Sequence, residues 1–500
     1  MKKKTLIILL SALLWFTPIL SAAFAEIPES VSVPNGTEGT FTCGDCKYRL
    51  FEDGTAEITW YTGGAEILYV PGELDGHTVV SIGDGAFRGW SVIASLTLPD
   101  SLKSIGSEAF SGCAGLTEIT LPSGLEAIGD YAFSACENLP RIALPDTVTK
   151  IGVNPFQRCE SLREINLSDD HPVLEIRDGT LFIKTEKRLV CRLMTVTDSE
   201  YRIPEGTEII GDEAFSFCDC LNRVFLPESV TKIGYASFFR CDGLIRINLP
   251  DSVTEIGDCA FNFCASLESI SVPSGVKRIG RDVFYGCVRL ANVILPDGMM
   301  EIGEAAFSRC ERLKGIAIPN SVTRIGDEAF ERSGLTEAVL PDGVISVGAG
   351  AFTDCSGLKS AVLPDSVRVI GNAAFAGCRN LEHISLPNGI TEIGYKTFYG
   401  CGSLVEITLP ESVTVIGENA FAGCGSLKKI GLPESLTEIG AGAFYSCQEL
   451  TEIIVPEGVS LIGPWAFDAG FDVALIVKEG SPAEAYCVEN GLNYKTYCRE

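Results

Sequence analysis

The stretch L-I-R-I-N-L-P-D-S-V-T-E-I-G-D-C-A-F-N-F-C, from Leu244 to Cys264, decides the fold because it returns almost letter for letter from Leu404 to Cys424. Prolines preceded by Leu, Ile or Val recur between Pro99 and Pro456 with a step of 23. The beat slips twice: Pro319 to Pro341 is 22, and Pro145 to Pro204 is 59, one repeat plus 36. Phenylalanine keeps the same time, as at Phe87, Phe110, Phe215, Phe261, Phe307 and Phe421, and gives 16 units in all. A period of 20 to 30 residues means one supersecondary unit per repeat that buries its apolar face only against its neighbours.

Each position in the unit has a physical reading. In L-x-x-I-x-L, as at Leu116, Ile119 and Leu121, the last two apolar residues sit two apart and share one face of a strand. Pro then ends the strand, since it has no N–H to give a ladder, and Asp, Glu, Ser or Asn shapes the turn after it. Val253 and Ile256 bury on the return path, Gly257 supplies a tight turn, and Ala260-Phe261 opens a short helical turn that plugs the column. Successive strands are expected to pair in parallel, and at about 4.8 Å per coil 16 coils would make a rod or arc of about 75 Å.

Composition narrows the classes of partner. The 500 residues are 46% hydrophobic and 21% charged, enough for a large core. Lys plus Arg total 39 against 66 Asp plus Glu, so the net charge is −27, and phosphate-backbone binding, which needs surplus clustered cation, is not expected. Lys2, Lys3 and Lys4, the apolar run Leu6 to Leu20, and Ala23-Phe24-Ala25 before Glu26 have the three parts of a secretory signal peptide. The chain is therefore expected to be exported and cut after Ala25, leaving a mature net charge of −30 and no transmembrane segment.

The run L-x-x-I-x-L-P-x-x-V-x-x-I-G-x-x-A-F-x-x-C resembles the BspA-like leucine-rich repeat family of bacterial secreted and cell-surface proteins, over residues 45 to 495. The resemblance implies a leucine-rich repeat solenoid: an arc with a parallel β-sheet on its concave face, short strands and helical turns on the convex side, and a role in adhesion and protein binding. Tyr61-Thr62-Gly63-Gly64 and the run Asp75 to Gly83 resemble the family's N-terminal capping hairpins and first coil. Ser481, Pro482 and Gly491 read as N-cap, first residue and stop of a terminal helix. The resulting organisation is a signal peptide at 1–25, an N-terminal β cap at 26–80, repeats at 81–167, an irregular hairpin-containing island at 168–203, repeats at 204–470 and a C-terminal cap at 471–500.

Sites of chemistry are sparse. Of the 20 cysteines, 13 sit three residues after the repeat phenylalanine, from Cys113 to Cys447. A disulfide ladder between coils is sterically conceivable, but a small buried hydrophobe explains the column better, because Trp90, Ser333 and Gly470 replace Cys singly. Cys43-Gly44-Asp45-Cys46 is a redox or metal pair on one reading, and a cap disulfide or two free thiols on the favoured one. The histidines, His77, His171 and His383, lie in widely separated coils, and no metal, cofactor or catalytic motif is present, so no enzyme is expected. A β-solenoid carbohydrate-active enzyme is the remote alternative; it would need paired acids, whereas Glu118, Glu164, Glu337, Glu406 and Glu452 are scattered. Asp or Glu follows the repeat proline in 11 of 15 cases, a carboxylate edge that turn chemistry explains as well as Ca²⁺ binding would.

The residues before and after the strand Ile project away from the core. Across the coils these two positions hold five Arg or Lys against six Glu, so the chain's excess acid lies elsewhere. Two neighbouring zones are expected to form the partner site: Arg202, Arg223, Phe225 and Arg246, then Ile294, Ala317, Val339 and Val362. Arg and aromatic residues beside an exposed apolar stripe are what protein interfaces favour, so the expected partner is an extracellular protein of unspecified identity. A glycan-binding or structural envelope role is the alternative reading.

Overall fold

The protein, as a computed structural model, is described for residues 39–467 and 473–497. The signal-type segment with its cleavage point, Cys498 and Gly470 lie outside the described residues. The chain winds into a solenoid of about 19 turns. The excess over the 16 phenylalanine units comes from the caps, where Ile67–Tyr69, Ala474–Lys478 and Tyr494–Tyr497 stack as further strands on the same side.

Each coil has three sides. On the first lie three-residue strands such as Arg223–Phe225 and Arg246–Asn248, paired in parallel with Arg223 opposite Arg246 and Phe225 opposite Asn248. On the second lie two-residue strands such as Lys232–Ile233 and Glu255–Ile256, also parallel, with Ile233 opposite Ile256. Pairing at one full repeat places like residue on like residue, so every sequence position becomes a column along the rod.

The third side differs from the expected helical turn. Among the described residues no helix forms there; instead two residues in most coils take the left-handed conformation, for example Glu213 and Phe217 (φ 53° and 62°). The alternation turns successive N–H groups toward the next coil: Glu213, Phe215 and Phe217 donate to the carbonyls of Tyr235, Ser237 and Phe239 at 2.8, 2.7 and 2.9 Å. A helix would consume those donors within the coil, whereas here they join coils and leave no open edge. The Asp after the turn glycine adds to this ladder: Asp212 accepts from Tyr235 N at 2.8 Å and Asp327 from Ala349 N at 2.8 Å.

The phenylalanines form the axis of the core. Phe261 lies between Phe238 (centroids 5.3 Å apart, planes 4°) and Phe284 (5.6 Å, 6°), and the stack runs from Phe215 to Phe467. A second stack joins Phe87 to Phe156. The island separates them. It is a three-stranded antiparallel meander, Leu174–Arg177, Thr180–Ile183 and Arg188–Arg192, one strand more than a hairpin, and its last strand pairs in parallel with Ile209–Ile210. The core divides here too: Leu181, Ile183 and Val190 pack with the N-terminal cluster, Phe182, Leu189 and Tyr201 with the C-terminal one. On the third side Glu213 bridges the two blocks, accepting from Tyr131 Oη at 2.6 Å while its carbonyl accepts from Asn154 Nδ2 at 2.8 Å.

The caps close both ends. Phe41–Cys43, Cys46–Leu50 and Ala56–Tyr61 form an antiparallel meander whose last strand pairs in parallel with His77–Ile82. Its turns fall at Gly44-Asp45 and at 51–55, so Tyr61-Thr62-Gly63-Gly64 is a strand end and a connector, not the turn of a capping hairpin. The Asp75-Gly76 hairpin is present. At the other end the helix Pro482–Asn490 has Ser481 as N-cap, accepting from Glu484 N, and Gly491 in the left-handed conformation at its C-terminus.

Candidate recognition surface

The three-residue strands set the geometry of the exposed face. Their central residue points inward and is buried, and the flanking residues point out, so each coil offers two outward side chains at regular steps. Arg202, Arg223 and Arg246 are exposed on adjacent strands. The Arg202 guanidinium lies over the Phe225 ring, 4.0 Å from its centroid, and Phe225 is half-buried in consequence, so it is less available than a fully projecting residue. Arg223 pairs with Glu200 at 3.3 Å, while Arg246 stays exposed beside it.

Coils further along carry the apolar stripe. Ile294, Val339 and Val362 are 64%, 61% and 46% exposed. Val339 and Val362 face each other in register. Ala317 is also exposed, yet residues 315–317 form no strand. The next coil is the short one, with one residue fewer between Phe330 and Leu335 than its neighbours have, and a polar notch lined by Glu311, Lys314, Arg332, Asp354 and Arg379 lies there. The stripe therefore spans a local break in the sheet. Beyond Val362 the face continues into a shallow depression walled by His383, Ser385, Glu406 and Thr408. The structure thus brings the Arg-aromatic zone and the apolar zone onto one side, separated by the Ser269–Ser271 strand.

The cysteine column has a role that composition did not reveal. Cys264 Sγ donates to the Phe238 carbonyl at 3.1 Å, Cys287 to Phe261 at 3.2 Å and Cys401 to Phe375 at 3.2 Å, and the same bond recurs along the column. Each of these thiols ties its coil to the preceding one as a donor, which a purely apolar side chain could not do. Burial pushes the Cys113, Cys159, Cys355 and Cys447 thiols up to about 12, so they remain protonated donors at neutral pH. The cysteines from Cys43 to Cys487 are free thiols. Cys43 and Cys46 face each other across the Gly44-Asp45 turn, and burial raises the Cys46 thiol to about 11.

The histidines are dispersed. His171 is buried and structural: its Nδ1 accepts from Leu174 N at 3.0 Å and its Nε2 faces the Pro145 carbonyl at 3.1 Å. His77 contacts the Gly54 carbonyl, and His383 is exposed on the strand face. Among the described residues no group of three His, Cys, Asp or Glu is placed to hold a metal, and no helix is long and apolar enough to cross a membrane. Post-proline carboxylates act in turns, as where Asp365 accepts from Asn388 N at 3.0 Å.

A family model for the BspA type leucine-rich repeat region matches residues 76–182 and, in overlapping segments, 197–472. The chain belongs to this family. It is similar to a leucine-rich repeat protein from Bacteroides ovatus, at 25% identity over 88% of this chain and 100% of that one, with a TM-score of 0.41. It is also similar to a leucine-rich cell surface protein from Faecalibacterium prausnitzii, at 27% identity over 86% and 95%, TM-score 0.36. A third similar structure is the pneumococcal vaccine antigen PcpA, at 18% identity over 92% and 98%, TM-score 0.34. Nothing matches among the curated proteins.

Proposed function

We propose that this BspA-type leucine-rich repeat protein is exported and works without catalysis, by presenting its strand face to a protein ligand on a host or neighbouring cell. The observation that carries the reading is the exposed Ile294, Val339 and Val362 stripe sharing a side with the Arg202–Phe225 stack and Arg246. A desolvated apolar centre flanked by Arg and aromatic groups supplies the anchors that dominate protein interfaces. Strand pairing on the first two sides runs between coils, so recognition falls to the outward side chains.

Export is supported by the charged, apolar and small-residue order of residues 1–25. The test compares cell binding of the wild-type chain with that of an Ile294→Ser/Arg246→Glu variant. Both side chains are exposed, so the thermal melt is expected to stay within about 2 °C while binding falls at least about 10-fold, a loss of 1.4 kcal/mol or more. Unchanged binding refutes the assignment of this face. Loss of binding after enzymatic deglycosylation of the cells would replace the protein ligand by a glycan.

A further inference from the structure

The third side of the solenoid carries a feature that the strand-face reading does not use. Immediately before each repeat cysteine stands a left-handed residue, and several coils place glycine there: Gly112, Gly377, Gly400 and Gly423 have φ between 71° and 77°. From residue 158 to 332 the same column is filled with large side chains, Arg158, Phe217, Arg240, Phe263, Arg309 and Arg332, at φ 52° to 62°. The interruption at Gly286 is filled from the adjacent position by Tyr285. Left-handed non-glycine residues occur along the whole third side, so what sets this block apart is the size of its side chains.

The side chains form one array. Arg158 lies over Phe217 (5.7 Å to the centroid), Arg240 over Phe263 (5.5 Å) and Arg309 over Tyr285 (5.7 Å). The rings touch edge to face in sequence: Phe217 with Phe239 at 5.5 Å, Phe239 with Phe263 at 6.5 Å, Phe263 with Tyr285 at 5.2 Å. All of these residues are half-exposed. Arg158 and Arg240 form no salt bridge among the described residues, although the chain's net charge is −27; Asp242 is the carboxylate within electrostatic reach of Arg240. A guanidinium stacked on a ring keeps its in-plane N–H fork free for a carboxylate.

We propose that this array is a second docking surface, for an acidic peptide segment whose carboxylates alternate with aromatic or aliphatic side chains. Charge complementarity selects the carboxylates, because the array presents stacked cations on an otherwise acidic chain. The ring geometry selects a protein over a polysaccharide: sugars stack on open ring faces, whereas Arg158, Arg240 and Arg309 cover faces of Phe217, Phe263 and Tyr285. At about 4.8 Å per coil the array runs for about 24 Å, the reach of about seven extended residues.

The test titrates the full chain with a fluorescent random copolymer of glutamate and tyrosine, with hyaluronate as the carbohydrate comparison. The variant is Arg158→Gly/Arg240→Gly. Glycine already serves at this position in other coils, so the change removes the cations and relieves the backbone, and the melt is expected to hold or rise. The copolymer is expected to bind the wild-type chain in a salt-sensitive manner and the variant at least about 10-fold more weakly, while Ile294→Ser/Arg246→Glu on the strand face binds it as wild type does. Equal binding to both chains, no copolymer binding by the wild type, or binding of hyaluronate in its place would each overturn the proposal. Because the strand-face variant is scored in the same titration, failure here leaves the reading of that face independently testable.

Discussion

Replacing Phe261 by alanine tests how far the stacked rings hold the coils together. The side chain is fully buried and has a parallel ring on each side, at 5.3 Å and 5.6 Å. Truncating a buried Phe costs about 3 to 5 kcal/mol, and aromatic pairs contribute roughly 0.5 to 1.5 kcal/mol each beyond area burial. With two such pairs lost, the upper end of the range applies, about 5 kcal/mol. Only nearest neighbours feel the change directly, since stability in a solenoid is close to a sum of coil and interface contributions. Because the question is which coils lose stability, the assay is hydrogen exchange by residue. The amides of Phe238 and Phe261, bonded to the Ala260 and Val283 carbonyls, are expected to lose protection by roughly 10³-fold or more. Coils before the island, which belong to the other core cluster, are expected to stay as they are. A local loss under about 2 kcal/mol, or an equal loss in the Phe87 to Phe156 block, would refute nearest-neighbour coupling through the rings.

Three further outcomes follow from the columns. Asp327→Ala removes the acceptor for Ala349 N and is expected to cost about 1 kcal/mol, whereas Asp327→Asn keeps most of it, because Asn372 makes the same bond to Tyr395 N at 3.0 Å; urea midpoints at matched slope check both. Burial raises the Glu213 carboxyl above its ordinary 4.5, so folding favours its protonated form, and that contribution is complete below 4.5 and lost as pH rises through the raised value. Melting temperatures of Glu213→Gln are therefore expected to drop less than those of wild type as pH rises from 4.5 to neutrality, and parallel curves would contradict this. Arg192 is buried 4.0 Å from the Tyr201 ring centroid; its Nη1 donates to the Asp178 carbonyl and Thr180 Oγ1, Nε and Nη2 lack hydrogen-bond partners, and its ion-pair partner Asp198, 3.7 Å away, is exposed. Arg192→Met is therefore expected to cost no more than about 1 kcal/mol in a denaturant melt, and a larger loss would show that these contacts outweigh the cost of burying the charge.

The solenoid was legible because period and register are the same fact: once Pro, Gly, Ala-Phe and Cys recur every 23 residues, parallel stacking follows, and the inward set could be read from Leu244, Ile247, Val253, Ile256 and Phe261. The outward strand residues were legible for the same reason, from the two-residue alternation about Ile247. The third side was not, because A-F-x-x-C suggests a helical turn and nothing in the letters announces left-handed Phe217 or Arg240; glycine at equivalent positions was the available signal. The thiol bonds were hidden because cysteine also suits a small apolar site, and only the Phe238 carbonyl 3.1 Å from Cys264 Sγ distinguishes donor from filler. Phe225 was placed on the correct side but not at the correct depth, since nothing in its own repeat shows that Arg202 covers it.

Rings, backbone ladders and protonated thiols join the coils from within. Counting alkylated cysteines in native and denatured protein by intact mass tests this most directly. The account predicts that the repeat cysteines from Cys113 to Cys447 resist labelling in the native chain and that at least 13 label once it is unfolded. Near-zero labelling after unfolding would contradict it, because the coils would then be joined by disulfides and the thiol hydrogen bonds would not exist.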